Sequence, residues 1–511
     1  MDSNLMDKEV LCIIETRKIQ RYMFRTNTLR DSVGGSELMR HILPDAILYA
    51  LKNIDTPLKE EEYSLSPEPD KNAIPYLTSH EIKFQLALSG PGNALCLVRT
   101  GELAQKIIRK ISRYYLDHAY SLNLTAAVTL KTDNLKENLR QLYEKLQKIK
   151  ASSEILDPVG ALPVIMRENR TGEPVVAFDA ESSTYLSKSS MLRRKEAEKR
   201  KILFDLKDMQ SMTASDGKAY LAFIHADGNN IGITISRLLQ AKSDYADGII
   251  VGRTIHKTIE QICLKVMAKT EDELKEYYLK AGGSEENFIR NFQVLHRAGD
   301  DINLMCNANL AFPFLDIFYR NLEGCMIWEK DGQRIPLYVC AGISFVTSDS
   351  SFHSSYTLAE ECCRSAKTAA KEERNLCDGL AGNWIDFQIC DNPNIQELDM
   401  LRKRTYHTSE GIDLLLRPYS RNTKDKGRPF HYDELMKRVH TLKQSPLPEF
   451  PMKIMKQSYT LGRLDFTEWI YKMKERGVDL ADSLGAPTFT DSENTTHAVW
   501  FDAIRLLDFV K

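Results

Sequence analysis

The chain lacks the marks of a membrane, secreted or nucleic-acid-coating protein. No apolar run approaches the roughly 20 residues needed to span a bilayer. Residues 1–10 (MDSNLMDKEV) show no basic region followed by an apolar stretch, so no secretory leader is expected. Cys-x-x-Cys pairs are absent: the ten cysteines are scattered, several inside apolar runs such as Val10-Leu11-Cys12-Ile13-Ile14. A zinc ribbon is therefore not expected, and buried thiols in a reducing cytosol are. An excess of one charge is missing too. Lys and Arg total 69 and Asp and Glu 71, a net charge of −2, which excludes a strongly basic body.

What is present is a 511-residue chain, 42% hydrophobic and 27% charged, the balance of a folded globular protein. Its pattern predicts an α+β fold. A short strand (9–14) ends at Glu15, and a turn-rich basic segment leads to a helix opening at Ser36, with Pro44 expected to kink or break it. Two strands (81–88 and 94–98) joined by SGPGN, a helix (102–118) and a strand (122–130) complete a ferredoxin-like order. The order then repeats: strand 218–227 ending at Asp227, a helical region at 245–280, a strand–turn–strand at 291–307, a helix, strand 336–346 and helix 358–374. Glu15 precedes Gly90 by 75 residues and Asp227 precedes Ala298 by 71, with an isoleucine four positions after each acid (Ile19, Ile231). This argues for a tandem duplication. The division expected is a degenerate first unit (1–155), a linker hairpin and charged helix (156–215), a second unit (216–395) and a mainly helical C-terminal domain (396–511).

The sharpest chemical signal is Ala298-Gly299-Asp300-Asp301 in the turn between two apolar strands. Adjacent carboxylates repel, and a bound divalent cation relieves the repulsion. Asp227 ends the strand expected to lie alongside, so Asp227, Asp300 and Asp301 could together hold two Mg²⁺ or Mn²⁺ ions. Gly299 permits the turn and leaves room for a triphosphate. Ordinary hairpin chemistry is the competing reading of the turn taken alone. Lys367 and Lys371, four apart on one helix, are a candidate triphosphate clamp, with Arg374 able to join them; surface lysines are the alternative. Ser36, after Gly34-Gly35, is a candidate phosphate site at a helix start or a plain N-cap. The first unit has Gly90-Pro91-Gly92-Asn93 where the second has the acidic turn, so it is expected to be silent and to supply one pocket wall.

DGNNIG (227–232) with AGDD (298–301), and CAGISF (340–345) with AEECCRSAK (359–367), resemble the palm of nucleotidyl cyclases, GGDEF diguanylate cyclases among them. The segments IQRYMFRTNTLRDSVGGSELM (19–39), GNWIDFQ (382–388) and LLLRPYS (414–420) are similar to the polymerase-like large subunit of type III CRISPR effector complexes and its stand-alone relatives. The resemblance covers roughly residues 9–420. It implies two face-to-face palm domains of which only the second is active, joining ATP or another nucleoside triphosphate into cyclic oligonucleotides, cyclic oligoadenylate foremost, as antiviral messengers. On this resemblance Asp227, Asp300 and Asp301 are metal ligands and Lys367 contacts phosphate. Relatives often carry an HD nuclease domain ahead of the first palm and a cysteine zinc cluster in the linker hairpin. Neither is read here, where the hairpin turn is ENRTGE, and a stand-alone enzyme is one expectation. The others are a scaffold subunit of an RNA-guided complex, with TRKIQRYMFRTNTLR contacting RNA or other subunits, and a class III-like mononucleotide cyclase. No membrane partner is expected. The two palms could form an internal pseudo-dimer, or the chain a homodimer.

Overall fold

A run of β-branched and large apolar residues buried on both sides makes the natural centre of a sheet. Val10–Arg17 (β1) is largely such a run, and in the computed structural model it is an interior strand of the first sheet. The structure describes the chain except residues 1–4, 153–163, 200–211, 213–219, 392–396, 445–467 and 476–487 and a few single or paired positions between them. The first half continues with helices α1 (Ile19–Phe24) and α2 (Leu29–Asn53), then strands β2 (Tyr63–Ser64), β3 (Phe84–Gly90) and β4 (Asn93–Val98). Helix α3 (Gly101–His118), strand β5 (Asn123–Leu130) and helix α4 (Leu135–Ser152) complete it. The five strands form one sheet in the order β2-β3-β4-β1-β5, with β1 antiparallel to both β4 and β5.

Two expectations are corrected here. Strand β1 does not stop at residue 14, and Glu15 pairs within the sheet, opposite Asn93 and Thr125. Helix α2 does not start at Ser36. It begins at Leu29 after an extended Thr28 and runs unbroken through Pro44. The buried residues on either side of the proline (Ile42, Leu43, Ala46, Ile47) hold the helix against the loss of one backbone hydrogen bond. The Gly-Gly pair that looked like a start signal serves close packing. A Cβ at Gly34 would fall 1.8 Å from the carbonyl oxygen of Arg193 in helix α5 (Lys188–Lys199).

Between the halves, Arg167 and Pro174 bridge across the ENRTGE turn, and a two-stranded hairpin follows, β6 (Val175–Asp179) with β7 (Thr184–Ser187). The expected charged helix is α5, and its continuation to 206 lies outside the described residues.

The second half opens with β8 (Tyr220–Gly228), α6 (Ile231–Gln240) and the 36-residue α7 (Tyr245–Lys280), which matches the expected 245–280. Next come α8 (Glu285–Asn291), the hairpin β9 (Phe292–Ala298) and β10 (Asp301–Asn307), and α9 (Ala311–Leu322). A small hairpin, β11 (Met326–Lys330) and β12 (Gln333–Pro336), leads to β13 (Val339–Thr347), α10 (Phe352–Lys371) and β14 (Trp384–Ile389). The second sheet has the order β16-β14-β13-β8-β10-β9, where β16 is Tyr419–Ser420. Its members β13-β8-β10-β9 repeat β5-β1-β4-β3 of the first sheet: the opening strand lies between the closing strand and the second arm of the hairpin.

Among the described residues the C-terminal region holds helices and also a small sheet. Beside α11 (Leu398–Thr405), α12 (Tyr432–Gln444) and a last helix (Phe501–Leu506), it contains the three-stranded sheet β15-β18-β17 (Ile412–Asp413, Thr496–Ala498, Thr488–Thr490). Phe509 stacks on Phe345 of β13, so its apolar residues join the second sheet's core. Of the loops the sequence suggests in this region, 445–451 (SPLPEFP) lies outside the described residues, and 484–495 is corrected where Thr488–Thr490 forms β17.

A long helix of each half also packs against the other half's sheet. Helix α7 lies on the first sheet: Leu88 of β3 fills the space that a side chain at Gly252 would take, and the Arg253 guanidinium donates to the carbonyls of Ala87 and Leu86. Helix α2 lies against the second sheet, where Leu38 and Met39 share a core with Phe223, Leu295 and Met305. No described helix is long and apolar enough to cross a membrane. The cysteines are free thiols, all buried except Cys325 and Cys377.

Candidate functional site

The hairpin between β9 and β10 turns through two residues, Gly299 and Asp300, with Ala298 paired to Asp301. Gly299 takes φ +60°, the left-handed region glycine enters without a Cβ penalty. Ala226 of β8 pairs with Ile302 of β10, which sets Asp227 beside Asp301 at the same end of the sheet. The three expected acids therefore converge. Gly228 lets them approach closely, since a Cβ there would fall 2.5 Å from Asp300 Oδ2.

The environments of the acids differ. Burial pushes the Asp300 carboxyl up to about 7, with the negative charges of Asp227 and Asp301 adding to it. Asp227 accepts a hydrogen bond from Lys367 Nζ, which also donates to the Gly228 carbonyl at 2.9 Å. Burial works against the charged form of Lys367, but Asp227 more than offsets it and the amine is held above its ordinary value. Asp301 accepts from Asn303 Nδ2 at 2.7 Å and has His225 Nδ1 at 3.6 Å and His296 Nε2 at 3.9 Å.

A cleft of about 2280 Å³ opens between the halves in front of this turn. The second half contributes Gly299, Asp300, Asp301 and Arg297 to its lining, and the first half contributes Glu15, Gly92, Asn93 and Arg140. The remaining expected residues divide. Lys367 joins the acids through Asp227, although neither of the two is among the residues lining the cleft, and Lys371 is exposed at the last residue of α10. Arg374 lies past the helix end and pairs with Glu372. Ser36 is buried inside α2, so no free helix-terminal N–H groups surround it, and its hydroxyl is 2.6 Å from His296 Nδ1. Tyr22 and Phe24, the aromatics of the basic segment, are buried and offer no surface for stacking bases.

Sequence reasoning missed four groups. Lys150 of α4 pairs with Glu15 at 2.6 Å, as Lys367 pairs with Asp227. The intervals, 135 and 140 residues, are close enough that the duplication could have pointed to it. His225, His296 and Asn303 carry no spacing signal of their own.

Among the described residues no three His, Cys, Asp or Glu side chains are already gathered as metal ligands. The donor chemistry nevertheless fits a hard divalent cation. All three acids offer oxygen, and Asp300 is buried among like charges that a cation would neutralise.

No protein-family model and no curated protein matches the chain. Among solved structures it is similar to Csm1 in the apo Csm1–Csm4 cassette, at 12% identity and a TM-score of 0.50, covering 100% of this chain and 71% of that one. It is likewise similar to Csm1 of T. onnurineus, at 14% identity and a TM-score of 0.50, covering 98% and 69%. The structural neighbours are thus type III CRISPR Csm1, the kind of subunit the sequence resembles, and the likeness is one of fold.

Proposed function

We propose that the chain is a double-palm nucleotidyltransferase that joins nucleoside triphosphates, ATP foremost, into cyclic oligonucleotides, with the second palm active and the first silent. The observation that carries this reading is the meeting of Asp227, Asp300 and Asp301 at one sheet end, beside a cleft walled by both halves. The Csm1 fold supports the double-palm arrangement.

The reaction is in-line attack by a ribose 3′-hydroxyl on an α-phosphate. The new O–P bond forms, the bond to pyrophosphate breaks, and the hydroxyl proton passes to water. Bound Mg²⁺ or Mn²⁺, held by Asp227, Asp300 and Asp301, would supply charge neutralisation at the α-phosphate and the attacking oxygen. The chain's own contribution is placement. Gly299 and Gly228 keep side chains out of the space beside the acids. Lys367 holds Asp227 and sets a positive charge where phosphate charge accumulates. Gly92 and Asn93 form the opposite wall in place of carboxylates, which leaves the first palm without a metal site of its own.

Incubation with each nucleoside triphosphate and Mg²⁺ or Mn²⁺, followed by mass spectrometry, tests this. Cyclic oligonucleotide plus pyrophosphate is expected. A 3′,5′-cyclic mononucleotide would instead show a simple cyclase, and intact triphosphate under every condition would refute the reaction.

A second reading draws on the same fold likeness. Csm1 in that structure is assembled with Csm4, and this chain would correspondingly be a subunit of an RNA-guided complex. Co-purification of a guide RNA with further subunits tests it, and the two readings are compatible.

A further inference from the structure

Directly beneath the acids lies a row of buried polar side chains. The register pairs His225 of β8 with Asn303 of β10, and Asn303 with His296 of β9. All three precede or follow an acidic-row position by two residues, so they share its face of the sheet. His225 Nδ1 is 2.5 Å from Asn303 Oδ1, and Asn303 Nδ2 donates to Asp301. His296 approaches Asp301 with Nε2 and meets the Ser36 hydroxyl with Nδ1. Asn303 is 0% exposed, Ser36 3%, His225 4% and His296 6%. An apolar strand core has no use for such a row, and burying it is costly unless each group is satisfied. Here the His225–Asn303–Asp301 hydrogen bonds end on one carboxylate, which His296 Nε2 approaches to 3.9 Å.

The row also has an anchor outside its own sheet. Ser36 belongs to α2 of the first half, and α2 is seated by the close approach of Gly34 to the Arg193 carbonyl. Gly34, Ser36, His296 and Asp301 therefore form a continuous physical chain from the linker helix to the acidic turn.

We propose that His225, Asn303 and His296, keyed by Ser36, are positioning residues that orient the Asp301 carboxylate, so that the first half governs the competence of the second. This role rests on the reading of Asp301 as a working acid. Groups that orient metal-binding side chains typically affect metal affinity or activity about 10–100-fold.

The test compares native protein with Ser36→Ala, His296→Ala and the double variant. Mn²⁺ binding is followed by electron paramagnetic resonance without nucleotide, and turnover and melting temperature are measured in parallel. Each single variant is expected to raise half-saturating Mn²⁺ about 10-fold and to lower kcat, with KM for the triphosphate within about twofold. The double variant should be no worse than His296→Ala, since the two groups act in series. Ser36→Ala removes one oxygen and keeps the test valid if His296→Ala folds poorly. Native protein that binds Mn²⁺ and turns over, with Ser36→Ala superimposable on it, overturns this role and leaves the reaction standing. Native protein that does neither removes the reaction and this role with it.

Discussion

Lys150 Nζ lies 2.6 Å from a Glu15 carboxylate oxygen. The pair sits where the first sheet repeats the position of Asp227 and Lys367 in the second. The first half has kept the acid and its lysine but has Gly92 and Asn93 at the turn positions of Asp300 and Asp301. The pair alone is a partly exposed ion pair, worth little to stability. What distinguishes the second half is the buried, repelled Asp300.

Substituting Asp300→Ala or Asp301→Ala is expected to lower pyrophosphate release at least about 100-fold, with a circular dichroism spectrum like that of the native protein. Radiolabelled triphosphate turnover measures the loss.

The Asp300 carboxyl is raised from an ordinary 3.8 to about 7 in the fold. The folded state therefore holds a proton that the unfolded state releases. Its contribution to stability is complete below pH 3.8 and is lost as pH rises to about 7. Metal-free native protein should lose stability across that window relative to Asp300→Asn, whose unfolding free energy should lack this slope. Denaturant titrations at pH 5 and pH 8 compare them.

Added Mg²⁺ or Mn²⁺ should raise the melting temperature more at pH 8, where Asp300 must carry charge, than at pH 5. The shift should vanish in Asp300→Asn. An equal shift in that variant would count against these acids as the ligands.

Lys367→Ala is expected to reduce kcat/KM about 100-fold, because phosphate loses a cation and Asp227 loses its partner. Lys150→Ala should cost less than about 10-fold, since its acid faces no acidic turn. Steady-state kinetics on the two variants separate the roles.

Gly34→Ala tests the seat of α2. A Cβ 1.8 Å from a main-chain oxygen cannot be absorbed by a rotamer change. About 2–4 kcal/mol of destabilisation is expected from overpacking at this backbone contact, read from urea unfolding.

The strand–turn–strand at the acidic hairpin was legible because apolar residues flank a short glycine-containing turn. The long helix over 245–280 was legible as one helical region, and the structure adds the Asp244 side chain as its cap. Ser36 was misplaced for a physical reason. Glycine can mark either a break or a close approach, and only the partner at Arg193 decides between them. Lys371 shared a spacing with Lys367, but one turn further along α10 it is past the acids. The histidines on Asp301 were invisible because their meaning lies in cross-strand register, which pairs residues 78 apart, as in His225 with Asn303.

Because α2 and α7 each pack on the neighbouring sheet as well as on their own half, each half completes part of its partner's interior. Cut apart and produced as separate fragments, both pieces would expose the greasy side of a sheet and fail to fold alone. Mixed together, they should reassemble, and the cleft would return only with the complex.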